Sequence, residues 1–73
     1  MDLSQAKWQL LAERKLNLVG TQIVIVYSTL FATTMPYHVH RENVYHGQMN
    51  SLDEAKRLCL VVVAELLEMG VDL

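Results

Sequence analysis

The residues of this chain with the most chemical reach are three histidines. His38 and His40 are separated by one residue, and His46 lies a few positions further on. Side chains on a strand alternate between faces, so His38-x-His40 puts two imidazoles on one side. A hairpin with a three-residue turn at 41–43 sets His40 opposite Val44 and His38 opposite His46, which brings in the third ring. In that register Tyr37, Val39 and Tyr45 share the other face, and a one-residue slip separates the histidines. Three imidazoles so placed can hold Zn²⁺ with a fourth position open, as catalytic zinc sites do. They can also form a cluster whose like charges respond to pH near the ordinary histidine range. No cysteine or acid at a fixed offset joins them, and three partly exposed surface histidines are the commoner outcome of such a pattern.

No other group of residues forms a catalytic set. Asp53 and Glu54 sit just after Ser51, where helix capping accounts for both. Ser28, Thr29, Thr33 and Thr34 have no partner base at a recognisable spacing, and Gly20, Gly47 and Gly70 form no phosphate-binding loop. The single Cys59 excludes an internal disulfide and, inside an apolar run, reads as a small buried hydrophobe. The expectation is therefore a protein that is not an enzyme, with zinc as the one cofactor option.

These residues must be positioned by a short chain. Seventy-three residues make one domain, 1–73, near the lower size at which a single core suffices. The first element reads as a helix over 3–16, capped by Asp2 or Ser4, with Leu3, Ala6 and Leu10 in a stripe widened by Trp8, Leu11, Ala12 and Leu16. Asn17 and Gly20 tolerate positive φ and are expected to end it. Residues 20–30 read as a strand, because Ile23 to Tyr27 are β-branched or aromatic. Both of its faces are apolar at the centre, which predicts cover on both sides. Residues 31–36 are ambiguous, with Pro36 restricting its strand to a start or an edge. The histidine hairpin follows. The last element is a helix over about 52–69, capped by Ser51 and stopped at Gly70. Its centre, Leu58 to Ala64, is apolar all round, so burial on more than one side is expected.

The predicted order is helix, strand, strand, strand, helix. That order is shared with the double-stranded-RNA-binding domain, and Met35-Pro36-Tyr37-His38 is similar to its Gly-Pro-x-His loop. That family opens its last helix with a basic cluster, whereas this chain has Leu52-Asp53-Glu54-Ala55-Lys56. No residue role carries over.

Between Lys15 and Arg41 there is no formal charge at all. Length alone would allow this stretch to cross a bilayer. Asn17, Gly20, Gln22, Ser28, Thr29, Thr33, Thr34 and Pro36 interrupt it, however, and its β-branched centre favours a buried sheet over a membrane span. The chain opens without a basic segment leading into an apolar core, so a cytoplasmic location is the expectation.

Apolar residues make up 52% of the chain and charged ones only 19%, more apolar surface than so small a domain can hide alone. The excess predicts self-association, most simply a homodimer, and an apolar surface able to take a protein partner. The net charge of −2 argues against nucleic acid, since phosphate binding needs a basic stripe. Lys7, Arg14, Lys15 and Arg41 are the cations an accessory nucleic-acid binder would use. The sequence thus predicts a small α+β domain: an antiparallel sheet of two to three strands flanked by N- and C-terminal helices and completed by dimerisation. Val24, Val26, Leu60, Val61 and Val63 are the expected interface. The function it suggests is that of an interaction or regulatory module.

Overall fold

A computed structural model describes residues 5–30 and 34–71. Five strands precede one helix: β1 (Trp8–Ala12), β2 (Lys15–Leu18), β3 (Ile23–Tyr27), β4 (Tyr37–Arg41), β5 (Val44–Met49) and α1 (Leu52–Glu68). The strands form one antiparallel sheet in chain order, each paired with its sequence neighbour. The helix packs across one face, against β3, β4 and β5. The α+β class holds.

The leading helix does not form. The chain from Trp8 to Leu18 is instead a hairpin that turns at Glu13-Arg14, with Trp8 opposite Leu18 and Leu10 opposite Leu16. Its sequence is rich in good helix formers, but that preference amounts to tenths of a kcal/mol per residue. The burial of Leu18, fully enclosed in the core, outweighs it. Alternation also places Trp8, Leu16 and Leu18 on the covered side, where Trp8 and Leu16 pack against the core. The cap assigned to Asp2 or Ser4 lies outside the described residues. Asn17, read as a helix stop, secures the next turn: its Nδ2 donates to the Thr21 carbonyl at 3.1 Å and the Ile23 carbonyl at 3.0 Å. Thr21 Oγ1 donates to the Leu18 carbonyl at 2.8 Å, and Gly20 takes φ +88°. With a hairpin in place of the helix, the described residues do not follow the order of the double-stranded-RNA-binding domain, and their strands number five rather than two to three.

β3 forms within the expected strand, and its two faces part company. Ile23 and Ile25 point under the helix and are buried, whereas Val24 and Val26 face away and are half-buried. Ile25 pairs with Leu16 and Val39. The core therefore lies between one sheet face, through Leu18, Ile23, Ile25 and Val39, and one helix stripe, through Ala55, Cys59, Val62 and Val63. The helix begins where expected: Ser51 Oγ accepts from the Glu54 backbone N–H at 3.2 Å. At its end Gly70 adopts φ +76°, the Val71 N–H donates to the Leu66 carbonyl and the Gly70 N–H to the Leu67 carbonyl. This pair of bonds is the Schellman closure.

The hairpin of β4 and β5 departs from the predicted register. Its turn has two residues, Glu42 and Asn43, with Glu42 at φ +53°, so Arg41 pairs with Val44 and His40 with Tyr45. A bulge then inserts His46 as an extra residue, and Gly47 comes opposite Val39. Gly47 has φ +146°, and a Cβ there would stand 3.4 Å from Leu58 Cδ2. That contact is an ordinary one, so it is the positive φ of the bulge that calls for glycine here. No helix of the described residues is long and apolar enough to cross a membrane.

Candidate functional site

The sheet face away from the helix is the most developed surface of the molecule. Alternation brings Lys15 and Asn17 of β2, Val24 and Val26 of β3, His38 and His40 of β4, and Tyr45 and Gln48 of β5 onto it. Near its centre is an open hollow of about 410 Å³ lined by Val26, Ser28, His38, His40, Tyr45 and Gln48. Val26 gives it an apolar floor, and the rings and amide give it a polar wall.

One side of that wall is a hydrogen-bonded chain. His38 Nε2 lies 3.3 Å from the Ser28 carbonyl oxygen, and Nδ1 lies 3.1 Å from the Tyr45 hydroxyl. The Tyr45 hydroxyl in turn reaches Gln48 Oε1 at 3.4 Å. A carbonyl only accepts, so Nε2 carries a proton. In the neutral ring Nδ1 must then accept from Tyr45, whose single proton cannot also go to Gln48. The His38 and Tyr45 rings also lie against each other, with centroids 6.0 Å apart. The site holds a hydrogen-bonded chain built from β4 and β5 and closed on the Ser28 carbonyl.

His46 is not part of it. The bulge turns His46 to the helix side, where it lines a separate groove with Arg41. The expected three-histidine face is thus corrected to two histidines plus Tyr45. Both nitrogens of His38 are already engaged. Among the described residues no group of three His, Cys, Asp or Glu side chains is gathered closely enough to hold a metal ion.

The four cations considered for nucleic acid are dispersed. Lys15 lies on the open face by its pairing with Val26. Arg14 sits 5.8 Å from the centroid of Tyr27, a ring that packs edge-on to Tyr37. Arg41 lines the groove beneath the helix, and Lys7 precedes β1. The expected interface residues also separate. Val24 and Val26 lie on the open face, Val61 is exposed on the helix at 51%, Leu60 is half-buried against the core, and Val63 is buried within it. Trp8 is half-buried against the core, with the Lys56 ammonium 5.4 Å from its ring centroid.

Cys59 is fully enclosed, and burial pushes its thiol up to about 12. That is the reverse of what a thiolate nucleophile requires. A thiol whose folded-state value is raised keeps its full contribution to stability below its unfolded value of 9.0 and loses it as pH rises toward 12. Labelling with a chromogenic disulfide reagent at mildly alkaline pH should follow opening of the fold. A native-state rate equal to that of the urea-denatured chain would contradict the placement.

Tyr45 and Gln48 are the neighbours of the histidine pair that sequence reasoning missed. Their signal is the two-residue turn, which puts Tyr45 rather than Val44 opposite His40. The fold and face define a class: a five-stranded antiparallel sheet carrying one helix on one side and an open, charge-poor hollow on the other. No protein-family model, curated protein or solved structure matches this chain.

Proposed function

We propose that this protein is a non-enzymatic interaction module that self-associates by packing the open sheet faces of two copies together. The observation that carries this reading is the unequal cover of β3. Ile23 and Ile25 are enclosed by the helix, while Val24 and Val26, equally apolar, are only half-buried and meet no second layer among the described residues.

A second copy suits the face better than a charged partner. Lys15 is the one formally charged residue that the strand pairings put on it. Neutral polar groups such as Gln48 and Tyr45 can serve a symmetric interface as both donors and acceptors. The molecule measures 35 × 20 × 19 Å, so one flat face offers at most roughly 700 Å². That is close to the roughly 800 Å² per partner of a standard interface, and two twisted sheets stack face to face about 10 Å apart. Almost the whole face would have to be used.

Val26→Asp tests this. The side chain points away from the core, so the variant should keep its fold, as read by circular dichroism and a two-dimensional amide spectrum. Sedimentation should show the wild type as a dimer at about 100 µM and the variant as a monomer. A wild-type protein that stays monomeric at that concentration would overturn the proposal.

A further inference from the structure

The face proposed to pack against a second copy carries two titratable rings near its centre. His38 and His40 of β4 stand on it, half-buried, and both line the hollow. Their cross-strand neighbours bring no carboxylate: Val26 and Gln48 flank His38, and Val24 and Tyr45 flank His40. His38 also meets the Ser28 carbonyl and the Tyr45 hydroxyl, both neutral. On β2, Lys15 pairs with Val26 and adds a positive charge to the same face. The described acids stand elsewhere. Glu13 and Glu42 are in the hairpin turns, and Asp53, Glu54, Glu65 and Glu68 are on the helix, across the sheet.

We infer that mild acidification dissociates the self-associated protein, because His38 and His40 enter the interface only as neutral imidazoles. The inference rests on the self-association reading and adds its regulation. A two-fold axis brings the same surface of both copies together, so every charge on the face appears twice. Four imidazoliums would then join two lysine ammonium groups, and the strand pairings put no carboxylate on the face to meet them. Desolvating an ion without a partner is strongly unfavourable, and bringing like charges together adds to the penalty. Neutral imidazoles incur neither, and each still offers one donor and one acceptor whichever tautomer it holds. Net charge pulls the other way. The chain carries −2 at pH 7 and has an isoelectric point of about 5.8, so general repulsion between copies fades on mild acidification. Dissociation under those conditions therefore reports the charge of this face, and tighter association the charge of the whole chain.

The test is sedimentation of the full chain at about pH 7.5 and about pH 5.5, at equal ionic strength and over about 1–300 µM protein. The lower pH lies about one unit below the ordinary histidine value, so each imidazole that must shed a proton to enter the interface weakens association about tenfold. One such histidine per copy raises Kd by about 100-fold, and two raise it by up to about 10⁴-fold. Circular dichroism and the amide spectrum should stay native at the lower pH. A double variant, His38→Gln with His40→Gln, keeps neutral polar groups on the face. It should dimerise with a Kd that differs by less than about threefold between the two conditions. The inference is overturned if the wild-type dimer is unchanged or tighter at the lower pH, if the double variant still dissociates there, or if the wild type loses its native spectra. A wild type already monomeric at the higher pH overturns the self-association reading and this inference with it, whereas a dimer indifferent to pH overturns this inference alone.

Discussion

Val39→Asp abolishes folding. Val39 is fully enclosed at the centre of β4, paired with Ile25 on one side and Gly47 on the other, beneath the helix. An aspartate there loses the valine's transfer energy of about 1.5–3 kcal/mol. It also places a carboxylate among Leu18, Ile23 and Cys59 with no cation in the cluster. An uncompensated buried charge costs about 3–5 kcal/mol, and the side chain is too short to reach water. A domain of this length has a total stability on the order of 4–11 kcal/mol. The loss is therefore of the same size as what is available. Circular dichroism should show no cooperative urea transition, and the amide spectrum should collapse to the dispersion of an unfolded chain. Val26→Asp makes the same kind of change on the neighbouring strand with the opposite outcome, because Val26 faces away from the helix. A Val39→Asp protein with native spectra would refute the assignment of faces.

Leu18→Ala destabilises the domain by about 2–5 kcal/mol, the usual loss when a fully buried leucine is truncated. Leu18 is completely enclosed although it belongs to the second strand of an edge hairpin. Its backbone and that of its neighbours are held by Thr21 and Asn17, so the site cannot collapse freely onto the space left behind. The result separates two architectures. If residues 3–16 formed a helix ending before Leu18, truncation there would fall on a connecting segment and cost within about 0.5 kcal/mol. A urea midpoint indistinguishable from that of the wild type, at unchanged slope, would favour the helix.

Those two experiments touch the places where sequence reading and structure meet and part. The last helix was legible from Ser51 to Gly70 because its signals are local: a side-chain cap, acids in the first turn and a glycine that adopts positive φ. β3 was legible because five β-branched or aromatic residues in a row have few alternatives. The first hairpin was not, since Gln9 to Lys15 is built from residues that favour helices and only the burial of Leu18 against distant residues makes the strand pairing pay. The apolar ring around the helix centre was read as burial on several sides. In the structure one stripe, Ala55, Cys59, Val62 and Val63, is enclosed and Val61 stays exposed.

The histidine site shows the same division more sharply. That His38 and His40 share a face follows from strand parity and needed no structure. Which other residues join them depends on the length of one turn and on one inserted residue, because a shift of a single position moves a side chain to the opposite face. The turn closes over Glu42 and Asn43 rather than three residues, and the bulge at His46 sends that ring under the helix beside Arg41. So the amino-acid sequence by itself determined the α+β class, the C-terminal helix, the central strand and the pair of histidines, all of them set by contacts close along the chain. Only the tertiary structure decided that the N-terminal segment pairs as strands, that Tyr45 rather than His46 meets His38, and that one face of the sheet is left open. Each of these rests on register and burial between residues far apart in sequence, where local preferences are too small to choose.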